Sequence, residues 1–322
     1  MSPPARSHEI CAGSVGMIVT VFLLMVSLVS CNKAANSTNE KVAEKTFASP
    51  AEAGAALVQA AKSGDQSALL EIFGAGAKDV LLTGDAVKDK NNLQDFVAAY
   101  DQMNRWVPIK AGGVMLYVGA DNYPFPIPLA QNPAGQWSFD TAAGKDEILA
   151  RRIGKDELTA IAACHLIADA QQEYFSQSHD GVKQYTQMFA SDEGKHNGLY
   201  WPVPDGQPPS PLGRLGDFAK VAGYTSAGAK PQPFDGYYFR ILTKQGDAAK
   251  GGSRDYVADG KMTKGFAVVA YPTEYRNSGI MTFIVNQDGV VYQNDLGEST
   301  TDVATTMTEF SPGSGWTPVT TD

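Results

Sequence analysis

Few residues in this 322-residue chain have the type and spacing to do chemistry. Cys31 stands directly behind an uninterrupted apolar run, Gly16 to Val29, so its thiol is one candidate. His165, Asp169 and Glu173 recur at i, i+4 and i+8, which would line metal-ligand types along one side of a helix. Their neighbours on that side, Gln172 and Ser176, are polar as well, and a solvated face explains the pattern better. Asn286, Asp288, Asn294 and Asp295 offer oxygen ligands suited to calcium, but without ligand-loop spacing they read as turn residues. Tyr200 and Trp201 lie beside a stiff segment, Pro202 to Pro211, and aromatics so placed are candidate partner contacts. The other reading is that they anchor a long loop on the core. No Gly-x-Ser-x-Gly elbow, phosphate-binding glycine loop, His-Glu-x-x-His or Cys-x-x-Cys occurs. His165, His179 and His196 are scattered, and Asp146-Glu147 and Asp192-Glu193 read as solvated surface. The sequence nominates no catalytic residue, no metal ligand and no cofactor.

Composition narrows the classes. Hydrophobic residues at 43% and charged residues at 19% are ordinary globular values that allow a core. A net charge of −9 argues against nucleic acid as a partner, since no basic stripe exists to displace phosphate counterions. It also removes attraction to anionic lipid, so membrane attachment needs another source. As a helix, the fourteen residues from Gly16 to Val29 span about 21 Å, short of the roughly 30 Å hydrocarbon core. A signal-peptide core fits that length better than a transmembrane helix. The run closes with Leu28-Val29-Ser30-Cys31, which resembles the lipobox of bacterial lipoproteins. In those, a small residue precedes a cysteine that is lipidated and becomes the new N-terminus. The resemblance implies a signal peptide over residues 1–30, palmitate or a related chain on Cys31 and a polar tether to residue 45. Asn32, and not Asp, follows the cysteine, and by resemblance to lipoprotein sorting in enteric bacteria this implies the periplasmic face of the outer membrane. Ordinary secretion and an uncleaved anchor remain as alternatives. Cys164 is then left without a disulfide partner, and its apolar neighbours make it a buried, inert thiol.

The elements predict an α+β protein with a domain over residues 46–142 and another over 143–322. Ser49, Pro50 and Glu52 form a capping box, and helices follow to Ser63, to Phe73 and from about Lys90 to Asn104. Strands are expected near residues 107–118, 125–129 and 136–139, with Pro124, Pro126 and Pro128 confining the middle run to an edge. Gly154 should interrupt a linking helix, and Asp156 should cap a new one from Glu157 to Gln177. Four apolar-alternating strands between Tyr237 and Tyr292 form an antiparallel sheet, with Asp288-Gly289 as its hairpin signal.

Helices beside a few curved strands ending in Trp137-Ser138-Phe139-Asp140 resemble the cone-shaped nuclear-transport-factor-like fold, whose members often hold a ligand in the cone. The helix LTAIAACHLIADAQQEYFSQ followed by GYYFRIL, GFAVVAYP and GIMTFIVNQDGVVYQND is similar to type IV pilin and pseudopilin heads, a long helix on an antiparallel sheet. Over its length the chain resembles the bacterial domain of unknown function 2950, through DNYPFPIPL, WSFDTAAGKDEILARRIGKDEL, GLYWP and DGYYFRILTKQG. That resemblance implies an exported, often lipid-anchored protein. The expected function is a non-enzymatic binding or structural module engaging an envelope protein or cell-wall partner. A hydrolytic enzyme with a site in the cone or at the domain junction is the alternative, and an accessory of a secretion or pilus system is another.

Overall fold

The computed structural model describes residues 44–110, 112–179, 181–204, 206–213, 215 and 232–320. The apolar run and Cys31 lie outside them. Helix α1 (Pro50–Ser63) starts at the expected capping box: Ser49 Oγ accepts from Glu52 N, and Glu52 Oε2 reaches back to Ala48 N at 2.9 Å. Asp65 caps α2 (Gln66–Phe73) by accepting from Ser67 N and Ala68 N, and a short 3-10 turn leads into α3 (Lys78–Leu81). Helix α4 (Ala86–Gln102) begins ahead of the expected Lys90, because Asp85 is its N-cap and accepts from Val87 N and Lys88 N. Strands β1 (Asn104–Pro108), β2 (Val114–Val118), β3 (Tyr123–Pro124), β4 (Leu129–Gln131) and β5 (Trp137–Phe139) form an antiparallel sheet. Pro126 and Pro128 keep the chain between β3 and β4 out of the ladder. Helices and sheet enclose a first core of Phe47, Leu57, Ile72, Phe73, Leu129 and Phe139, with the rings of Phe73 and Phe139 5.0 Å apart.

Helix α5 (Thr141–Ser176) corrects the expected break. It runs unbroken for 36 residues through Gly154 and Asp156. A glycine inside a helix costs only about 1 kcal/mol. Asp156 does not cap anything; its carboxylate is turned away from the backbone, onto Lys88. The first turns of α5 pack Thr141, Gly144 and Ile148 beside the first core, while Ala160, Cys164, Ile167 and Tyr174 belong to a second.

Short pairs follow: β6 (Ser178–His179) with β7 (Val182–Lys183), then, beyond β8 (Tyr237–Leu242), β9 (Lys244–Gln245) with β10 (Arg254–Asp255) and β11 (Val257–Ala258) with β12 (Lys261–Met262). The main sheet adds β13 (Ala267–Pro272), β14 (Met281–Asn286) and β15 (Tyr292–Asp295). After α6 (Thr300–Thr306) and β16 (Glu309–Phe310), β17 (Thr317–Pro318) joins its edge, giving the antiparallel order β17-β15-β14-β13-β8, one strand more than expected. All six residues of β13 are buried, so both faces of the sheet are covered; α5 packs on β13 and β14, and α6 on β13. The β14–β15 hairpin exists, but Gly289 alone takes positive φ there (+76°). Asn286 closes that turn, accepting at its carbonyl from Gly289 N and at Oδ1 from Asp288 N, both at 3.0 Å. The described residues form one compact unit. Among the described residues, no helix is long and apolar enough to cross a membrane.

Candidate functional site

The tightest charged arrangement is organised by a turn ahead of β8. Asp235 and Gly236 take φ of +48° and +88°, and Phe234 and Tyr237 exchange backbone hydrogen bonds of 2.8 and 3.1 Å across them. This is the two-residue hairpin for which Asp-Gly is the favoured pair. It carries Asp235 to Lys88 in the first turn of α4: Oδ1 lies 2.9 Å and the carbonyl oxygen 3.3 Å from the ammonium. Gly236 N donates to Asp85 Oδ2 at 3.2 Å. The same ammonium contacts Asp156 Oδ1 on α5, with the Lys88 and Asp156 side chains only 5% and 0% exposed.

One turn back along α5, Arg152 donates to the carbonyl oxygens of Asp79, at 2.7 Å, and Val80, and to Asn277 Oδ1. Asn277 Nδ2 in turn donates to Leu82 O and Glu274 Oε2, each at 2.7 Å, and Thr273 Oγ1 donates to Thr83 O at 2.8 Å. The turn after β13 is thus bound to residues 79–83 through side chains that satisfy backbone carbonyls.

Burial dominates the electrostatics. It pushes the Asp156 carboxyl up to about 6, with Lys88 acting in the opposite direction. Asp156 Oδ2 has no hydrogen-bond partner among the described residues. Burial also raises Asp89, whose Oδ1 accepts from Thr83 N at 3.0 Å, and lowers Arg152.

These groups edge a cavity of about 320 Å³ between the helices of the first core and α5. Most of its wall is apolar, including Leu57, Leu69, Phe73, Leu93, Phe96 and Ile148. Its charge comes from Lys88 and Asp89 on α4 and from Arg151, Arg152, Lys155 and Asp156 on α5. Arg151 is steadied at the rim by Glu147 Oε1 at 2.6 Å and the Tyr123 hydroxyl at 2.9 Å. Such a site can bury an apolar body while presenting charge to a polar end.

A family model described as "Protein of unknown function (DUF2950)" matches residues 44–319. The chain belongs to that family. Every residue of the cluster and the cavity falls inside the match. Neither a search of curated proteins nor one of solved structures returned a match.

In this DUF2950 chain the residues singled out from sequence do not gather at the cavity. Tyr200 N donates to Phe189 O at 2.8 Å, and the Trp201 ring stacks on His196 with centroids 4.3 Å apart. Both aromatics are partly buried against the second core. Cys164 is fully buried and free, its thiol pushed up to about 12 by burial. Among the described residues no group of His, Cys, Asp and Glu could hold a metal ion, the His165, Asp169 and Glu173 ladder included. Asp295 acts in a turn, accepting from Gly297 N at 2.9 Å. Lys88 on α4, Arg152 and Asp156 on α5, and Asp235 ahead of β8 are not legible as a site in the sequence because they come from three separate segments. The one local signal was Asp235-Gly236, a turn dipeptide of the kind recognised at Asp288-Gly289.

The raised Asp156 carboxyl makes stability depend on pH. The folded chain holds that proton more tightly than the unfolded chain, whose value is near 3.8, so the contribution is present below 3.8 and lost as pH rises through about 6. Between about pH 7.5 and about pH 5 this group should return about 1 kcal/mol, or roughly 3 °C in melting temperature. Melting curves of wild type and Asp156→Asn at both pH values check it: the variant should lack this increment, and an unchanged increment would assign it elsewhere.

Proposed function

We propose that this chain is a cell-envelope lipoprotein that works by binding and not by turnover. Cys31 carries the lipid, the residues to 45 form the tether, and the cavity receives the apolar part of an envelope component. The cavity is the observation that carries this reading. Its volume of about 320 Å³ lies at the lower end of the roughly 300–1,000 Å³ range of ligand sites, and most of its lining residues are apolar. Arg152 and Lys88, at its charged end, are committed to holding segments of the fold together.

Two measurements on the full chain test it. Labelled palmitate should enter wild type and not Cys31→Ala, which should leave the membrane fraction. Protein recovered from envelopes should carry a small molecule, identified by mass and released unchanged, that is missing from Leu93→Trp, in which the cavity is filled. Label-free wild type, or an empty wild-type cavity, would overturn the corresponding half of the proposal.

A second reading has one observation in its favour. Asp156, with its carboxyl near 6, stands beside Lys88 at the cavity edge, and groups tuned toward neutral pH are typical of proton-transfer sites. Recovery of an altered compound, dependent on Asp156, would move the protein to a hydrolytic enzyme at this junction.

A further inference from the structure

We infer that the cavity takes a single-chain anionic amphiphile, one apolar tail bearing a carboxylate or phosphate head, with the tail against Phe96 and Ile148 and the head at Arg151 and Lys155. The inference rests on the binding reading above and names its ligand class. Charge complementarity is its basis. The lining holds four cations, Lys88, Arg151, Arg152 and Lys155, and two acids, Asp89 and Asp156, while Asp235 and Glu147 stand against Lys88 and Arg151, so the cation left to meet an anion is Lys155, beside the free edge of Arg151. Lys88 and Arg152 are spent on the fold, whereas Lys155 is exposed and makes no ion pair among the described residues. Arg151 is likewise exposed, and its hydrogen bonds to Glu147 and Tyr123 orient the guanidinium while leaving NH2 without a bond in that pair. A guanidinium and an ammonium one helical turn apart suit a compact anion. The tail end is equally defined: Leu93, Phe96 and Ile148 are only partly buried although they face a hydrophobic core. The volume has room for one chain and not for the two of a phospholipid.

Titration calorimetry on the full chain, below micelle-forming concentrations, tests this with dodecanoate, dodecyl phosphate, dodecanol, dodecyltrimethylammonium and inorganic phosphate. Dodecanoate and dodecyl phosphate should each bind at one site, dodecanol about tenfold more weakly, and the cationic surfactant and inorganic phosphate not measurably. Lys155→Glu should weaken dodecanoate about tenfold and leave dodecanol and the melting temperature unchanged, since Lys155 holds no other group. Leu93→Trp should abolish both. Equal affinity for dodecanol and dodecanoate, or tight binding of inorganic phosphate alone, would overturn the inference. So would silence from all five probes; if envelope-derived wild type still carried a compound lost in Leu93→Trp, the ligand class would be wrong and the binding reading would stand.

Discussion

Lys88→Ala should destabilise the fold by about 3–5 kcal/mol, the cost of stranding a buried carboxylate once its counter-charge is removed. Asp156 has no exposed surface to recover water through, and its second oxygen already lacks a partner among the described residues. Asp235 would lose the same counter-charge. Lys88→Met keeps most of the aliphatic stem, so it should lose nearly as much if compensation of charge is what matters. Lys88→Met combined with Asp156→Leu removes both members of the pair and should recover much of the loss, because apolar replacements of buried pairs are often neutral. Urea denaturation midpoints of the three variants measure this. A loss below about 1 kcal/mol for Lys88→Ala would mean the cluster is incidental to stability.

Gly236→Ala should cost about 3 kcal/mol, from a left-handed backbone term of about 1 kcal/mol and overpacking of about 2 kcal/mol. At φ +88° a Cβ on residue 236 would stand 2.6 Å from Asp156 Oδ2 and 3.3 Å from Ser278 Cβ. The fold supplies its own control. Asp259 and Gly260 repeat the same turn, with φ of +51° and +76°, and a Cβ at 260 meets nothing within 4 Å. Gly260→Ala should therefore show the backbone term alone, and the difference between the two melting curves isolates the clash. Equal losses would show that the Asp156 carboxylate moves aside freely.

Local grammar was readable wherever a few adjacent residues decide the outcome. Ser49 and Glu52 cap α1, the apolar runs of β13 and β14 form the sheet, buried on both faces where alternation was expected, and Cys164 sits sealed in the core as its apolar neighbours suggested. Gly154 and Asp156 misled for an instructive reason. Both are helix breakers by propensity, but propensity is worth about 1 kcal/mol per residue and contacts from α4 and from the 235–236 turn outweigh it. The candidate site was illegible on the same grounds. Its members are separated by 68 residues between Lys88 and Asp156 and by 147 between Lys88 and Asp235, distances along the chain that no spacing rule covers. Tyr200 and Trp201 were visible as aromatics beside prolines, yet nothing in that pattern distinguishes a docking edge from a loop stapled to its own core.

The continuity of α5 has a thermodynamic consequence. Its opening turns line one apolar interior and its later turns another, so neither interior can lose its helix without exposing the other's. Severing the rod between Arg152 and Ala160 would leave two stubs, each with a greasy side and no lid. The two halves must therefore melt as a single event, and selection on either one is felt by both.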